Sequence, residues 1–128
     1  MAEMSDYLEN KILDYVLRDT ADWAPSTVYL ALHTGDPTDV TSAGLANEVD
    51  VTRQAIEFDA AHATTGVTQN TNIETFTSMP AVTVTHIGIW DHVSAGNLLF
   101  HTAVTSSKAV ASGDTFTVAA GAITITLA

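Results

Sequence analysis

The last seventeen residues, SGDTFTVAAGAITITLA (112–128), restrict the possible folds of this chain more than any other segment. Apolar residues alternate with threonines on both sides of a small AAGA turn. The apolar positions are Phe116, Val118, Ile123, Ile125 and Leu127. Such alternation places one face of a strand on a core and the other in water, and β-branched threonine favours the same conformation. The segment therefore predicts that the chain ends in a β-sheet.

The length and composition predict one domain over residues 1–128. A chain of 128 residues has single-domain length and can bury about two-thirds of its unfolded surface. Hydrophobic residues make up 46% of the chain and charged residues 15%. Disordered chains have the opposite bias, so we expect a folded core.

The strongly acidic charge restricts the possible partners. Fifteen acidic residues stand against four basic ones, which gives a net charge of −11. Nucleic-acid binding and adsorption to anionic membranes both require clustered lysine and arginine. We therefore expect no nucleic acid and no membrane among the partners, whereas a basic protein surface fits the charge.

The absence of cysteine and of a targeting segment restricts both chemistry and location. A chain without cysteine has no disulfides, no thiolate catalysis and no cysteine-ligated metal. The N-terminus is acidic and lacks the apolar region of a signal peptide, and no apolar run reaches the roughly 18 residues of a membrane span. We expect a soluble protein made in the cytoplasm.

Residues 5–18 are predicted to form the one clear helix. Ser5 is a good N-cap, acidic residues follow in the first turn, and Arg18 suits the C-terminal end. An apolar stripe of helical spacing consists of Leu8, Ile12, Tyr15 and Val16, widened by Leu13 and Leu17. Because a short isolated helix is marginal in water, this stripe must pack on the sheet or on a neighbouring subunit.

The remainder of the chain is predicted to form short strands and turns, without further helices. Strands are predicted at 27–33, 51–58, 73–76, 82–90 and 97–104 and in the C-terminal pair. Residues 34–37 are typical of a turn, and the polar residues 38–50 are typical of a mobile surface loop. Residues 106–108 are predicted to interrupt the strands near the C-terminus. The pattern indicates a mainly β fold. It favours an antiparallel β-sandwich (jelly-roll or immunoglobulin-like) or a barrel, with one N-terminal α-helix.

Candidate chemical sites are weak. The chain has five histidines but no HExxH pattern, and a metal site from His86, His101 and Asp91 has little support from spacing. Asp36 and Asp39 lack the dense carboxylate pattern of a calcium loop. There is no G-x-S-x-G elbow and no glycine-rich phosphate loop. We therefore expect no metal, no cofactor and no enzymatic activity.

Six segments of the chain together resemble a family of small virion structural proteins of tailed bacteriophages. They are SDYLENKILDYVLR (5–18), VYLALHTGDPTD (28–39), EVDVTRQAIEF (48–58), THIGIWD (85–91), GNLLFHTAV (96–104) and SGDTFTVAAGAITITLA (112–128). Such proteins are described as tail-fibre-like, minor tail or capsid-decoration proteins. The resemblance implies a β-sandwich with an N-terminal helix, no enzymatic activity and no catalytic residues.

The favoured hypothesis is a capsid decoration (cement) protein on the outer surface of the major capsid protein lattice. It would stabilise the head as a homo-oligomer, with a trimer favoured, be synthesised in the host cytoplasm and lie on the head surface rather than the tail. The candidate interface residues come from the helix, the first turn and the aromatic residues expected to be exposed. They are Tyr7, Leu8, Trp23, His33, Asp36, Pro37 and Trp90.

The alternative hypothesis is a tail or fibre-associated module that contacts other tail proteins or a host glycan. Trp23, Trp90 and the 38–50 loop would contact the glycan, although a tryptophan is more often a core or interface anchor than a sugar-stacking residue. A metal-dependent hydrolase using His86, His101 and Asp91 is a third, weaker hypothesis.

Overall fold

Antiparallel strands dominate the computed structural model of the protein, which describes residues 2–18, 24–62 and 64–127. The elements are β1 (Glu3–Met4), α1 (Asp6–Arg18), β2 (Val28–His33), α2 (Thr41–Asn47), β3 (Gln54–Ile56), β4 (Val67–Gln69), β5 (Glu74–Phe76), β6 (Val82–Trp90), β7 (Leu98–Val110), β8 (Phe116–Val118) and β9 (Thr124–Thr126). Neither helix among the described residues has the length and apolar character needed to span a membrane.

The strands form one large sheet and two small ones. The large sheet has the order β1-β7-β6-β2-β3, and the small sheets are β4-β9 and β5-β8. One apolar cluster joins the three sheets, with Leu30 and Ile87 from the large sheet and Phe76 and Ile125 from the small ones. The prediction of a mainly β, antiparallel, sandwich-like fold is therefore confirmed.

The two C-terminal strands belong to different small sheets. β8 pairs with β5 and β9 pairs with β4, so these neighbours in sequence do not pair with each other. The predicted inward positions in both strands are buried, at Phe116, Val118, Ile123 and Ile125. Leu127 is about half exposed, against the prediction, although its N–H still donates to the carbonyl of Gly66 at 3.0 Å.

Helix α1 begins where the sequence predicts but packs differently. The backbone N–H of Leu8 donates to Ser5 Oγ at 3.3 Å, and Ser5 Oγ itself donates to the carbonyl of Leu98. Only Leu8 of the helix is fully buried. The first turns of α1 pack on the core, whereas the second half of the predicted stripe is exposed, so packing of that half on a neighbouring subunit stays a prediction.

Two segments of the chain differ from the prediction, the 38–50 connection and strand β7. Residues 38–50 contain α2, which the sequence conceals because seven residues are too few for an apolar stripe. Strand β7 runs to Val110 rather than ending at 104. The predicted interruption at 106–108 is therefore wrong, although the register of β7 on β6 shifts nearby: Val84 pairs with Lys108 but His86 pairs with Ala103.

Candidate functional site

A buried cluster beneath α2 contains the aromatic residue that sequence analysis expected to be exposed. Trp90 has no exposed surface. The guanidinium of Arg53 lies 4.1 Å from the centre of its ring, and the His33 ring stacks at 6.1 Å. The Trp90 indole N–H also faces His33 Nε2 at 3.4 Å. The expectation of an exposed Trp90 is wrong, because its ring fills the space between β2, α2 and Arg53.

His33 is part of the same core. Its Nδ1 lies 2.9 Å from the side-chain oxygen of Asn47, which ties β2 to the end of α2. Burial lowers the pKa of His33 below its ordinary value, with smaller opposing contributions from Asn47 and Glu48. A Cβ on Gly88 would lie 2.7 Å from His33 Nε2, so glycine is needed for this close packing.

The structure divides the candidate interface residues into three groups. Leu8, His33, Pro37 and Trp90 are buried inside the chain and present no surface to a partner, which corrects their selection as contact residues. Trp23 lies outside the described residues. Tyr7 is half-buried, with Lys11 Nζ 5.6 Å from its ring centre, and Asp36 is exposed. An interface role for Tyr7 and Asp36 stays a prediction.

The residues of the glycan and hydrolase hypotheses do not form the expected sites. A buried Trp90 offers no face for stacking on a sugar ring. Asp91 accepts hydrogen bonds from the backbone and side chain of Asn97 at 2.7 and 3.0 Å. Within the described residues, the metal-ligand cluster that contains His101 includes neither His86 nor Asp91. The hydrolase assignment is therefore not supported by geometry.

The exposed end of α1 is the most distinctive surface of the described chain. Four large apolar side chains are more than half exposed there: Leu13, Tyr15, Val16 and Leu17. We call the three that share one helix face, Leu13, Val16 and Leu17, the helix-end patch. Leu13 lies three residues before Val16 and four before Leu17, so these side chains are neighbours on one helix face. Single exposed apolar residues are ordinary, whereas a contiguous group marks an interaction site.

The rim of this patch carries a weak surface ion pair. Arg18 Nη1 lies 3.0 Å from Asp14 Oδ1, with the Arg18 side chain largely in water and that of Asp14 partly exposed. Such pairs contribute little to stability but help to select a partner of matching charge. The patch itself has no charged residue, although the chain has a net charge of −11.

An acidic side chain is buried inside the sandwich. Glu74 in β5 is almost fully buried, and its Oε1 has no hydrogen-bond partner. Burial raises the pKa of the Glu74 carboxyl; the Asn72 side chain opposes this rise and the negative charge of Glu57 adds to it. An unpaired buried carboxylate costs stability when it is ionised.

We expect Glu74→Gln to stabilise the protein at pH 8. The raised pKa means that the folded chain holds a proton at a pH where the unfolded chain has lost it. The wild type therefore gains stability as the pH falls from the raised value towards about 4.5. In thermal unfolding, the difference in Tm between Glu74→Gln and the wild type should therefore be smaller at pH 4.5 than at pH 8. An equal difference in Tm at pH 8 and pH 4.5 would contradict this account.

Sequence reasoning missed Arg53 and Glu48, which hold the buried cluster together. Arg53 Nε and Nη2 each donate to a different Glu48 carboxylate oxygen at 2.7 Å, and Nη1 donates to the carbonyls of His92 and Ala95. One feature of the sequence could have indicated a structural role for Arg53. Arg53 is one of four basic residues in the chain and lies within a segment predicted to be a strand. A buried arginine requires such partners.

The fold places the chain among antiparallel, sandwich-like β domains with an appended helix. A family model described as "Podophage GP4 fiber I protein gp80" matches residues 3–126. This match covers nearly the whole sequence, and the chain belongs to that family. The resemblance to phage virion structural proteins is confirmed, and the protein is a phage structural protein. No curated protein matches the chain.

Proposed function

We propose that the protein is a structural subunit of a phage fibre that attaches to another virion protein through the helix-end patch. The description of its family names a fibre protein, which supports the fibre over the capsid decoration role expected from sequence. The capsid role and the major capsid protein as partner stay predictions. The proposed role involves no catalysis.

The observation that carries the proposal is the exposure of the second half of α1. Leu17 is 74% exposed and Val16 is 68% exposed, and with Leu13 they form an apolar helix face that is turned away from the buried Leu8. Burying such side chains against a partner contributes about 25 cal/mol per Å² of apolar surface removed from water. The partner that fits is a virion protein with an apolar groove.

The first half of α1 supports this role by fixing the direction of the helix. Ser5 caps the helix and donates to Leu98 in β7, and the N–H of Asp6 donates to the carbonyl of Asp39 at 3.0 Å. The helix base is thus attached to the large sheet and to the loop before α2. A rigid base presents the patch in one orientation, which lowers the entropic cost of docking.

We expect the double variant Val16→Gln/Leu17→Gln to fold normally and to be incorporated into virions at least about tenfold less than wild type. Glutamine keeps helix propensity and adds no charge to the last turn of α1. Exposed substitutions of this kind change stability by about 0.5 kcal/mol or less. Complementation of a phage lacking the gene, followed by quantitative immunoblotting of purified particles, measures incorporation.

The matched control is Ile73→Gln, which replaces an apolar side chain that is 62% exposed and lies outside the helix-end patch. This variant should enter virions at the wild-type level. Equal incorporation of the double variant and the wild type would exclude the patch as the attachment surface.

A further inference from the structure

A buried histidine lies among carboxylates at the base of α1. His101 in β7 is only 5% exposed. One ligand atom from each of Glu3, Asp39 and His101 lies within 4.8 Å of the others. The buried imidazole distinguishes this cluster from the scattered surface carboxylates of an acidic protein. The three residues come from β1, from the loop before α2 and from β7.

We propose that Glu3, Asp39 and His101 bind one divalent transition-metal ion of the Zn²⁺ type. A neutral imidazole nitrogen with two carboxylates is a ligand set that such ions accept, whereas Ca²⁺ prefers oxygen ligands alone. His101 Nε2 lies 3.0 Å from Asp39 Oδ1. Two ligand atoms on a tetrahedral zinc ion are about 3.3 Å apart, so this pair needs little movement to share one.

Asp36 lies near the His101 ring nitrogen that would not bind the ion. Its Oδ1 lies 3.6 Å from His101 Nδ1, whereas Asp39 Oδ1 lies 3.0 Å from the other ring nitrogen, Nε2. Metal-binding histidines commonly direct their second ring N–H towards a carboxylate, which fixes the tautomer and the ring orientation. With an ion bound, Nε2 would bind the metal in place of its present contact with Asp39, and the Nδ1 proton would face Asp36.

The ion would fasten three segments that are far apart in sequence. Glu3 lies three residues before the start of α1, and the carbonyl of Asp39 already accepts the N–H of Asp6. Binding would also neutralise negative charge at this point. It would act as a structural clamp on the helix base, independent of whether the helix-end patch attaches the protein to a fibre.

Isothermal titration with ZnCl₂ of the full-length, metal-stripped chain tests the proposal. We expect one Zn²⁺ per chain, much weaker binding of CaCl₂ and a higher Tm with Zn²⁺. Asp39→Asn and Glu3→Gln should each weaken Zn²⁺ binding by at least about tenfold. Both side chains are exposed, so these changes should leave the fold intact. Asp36→Asn should weaken binding by about tenfold as the outer partner.

Asp50→Asn is the matched control, since it removes one negative charge from an exposed residue outside the cluster. It should bind Zn²⁺ as the wild type does. The proposal is overturned by an absence of Zn²⁺ binding, by tighter binding of Ca²⁺, or by Zn²⁺ binding that Asp39→Asn and Glu3→Gln leave unchanged. The last result would place the ion on exposed histidines such as His62 and His92.

Discussion

Replacing Trp90 by alanine is expected to lower the free energy of unfolding by about 3–5 kcal/mol, the usual cost of removing a fully buried large aromatic ring. The ring has no exposed surface, Arg53 covers one face and His33 stacks beside it. Its removal leaves a cavity and takes the aromatic surface away from a buried guanidinium. A loss of this size is a large part of the stability of an ordinary domain.

Urea unfolding of the wild type and of Trp90→Ala measures this effect, and the Tm should fall by about 10–20 °C. Tyr15→Ala is the control, because it also removes an aromatic ring but from an exposed position in α1. It should change stability by about 0.5 kcal/mol or less. A Trp90→Ala protein as stable as the Tyr15→Ala protein would contradict the packing described above.

Replacing Arg53 by methionine is expected to cost about 3–5 kcal/mol, because it leaves the Glu48 carboxylate without its partner in a largely buried position. Methionine keeps an apolar side chain against Trp90, so the loss reports mainly on the charged hydrogen bonds. The carbonyls of His92 and Ala95 also lose their donor, which should loosen the turn between β6 and β7. Urea unfolding gives the magnitude.

The double variant Glu48→Gln/Arg53→Met should recover part of this loss, since it leaves no unpaired charge. Arg18→Met is the surface control. Its ion pair with Asp14 is exposed, and its removal should cost about 0.5 kcal/mol or less. Equal losses for Arg53→Met and Arg18→Met would mean that the buried pair contributes no more than a surface one.

Much of the fold was predictable because local patterns there agree with tertiary packing. Strand β6 has the predicted bounds, 82–90, and α1 begins after its predicted cap at Ser5. The pairing of β8 with β5 and of β9 with β4 was not predictable, because alternation shows which side chains face inward but not which strand lies alongside. Helix α2 was missed because its seven residues carry no periodic signal.

The candidate site was less predictable than the fold, because burial depends on distant segments. The apolar stripe of α1 was recognised, but nothing in the sequence shows how far along the helix its contacts with the core extend. Trp90 was misplaced for the same reason, since Arg53 and α2 cover it from elsewhere in the chain. The cluster of Glu3, Asp39 and His101 joins residues up to 98 positions apart, and sequence spacing gives no indication of it.

The most direct test of the fibre assignment is a cryo-electron microscopic reconstruction of the parent virion that locates this 13.5 kDa domain. The account predicts density for the domain within a fibre, with Leu13, Val16 and Leu17 of α1 against a neighbouring virion protein. Copies confined to the icosahedral head surface, or a fibre in which the helix-end patch faces solvent, would contradict it.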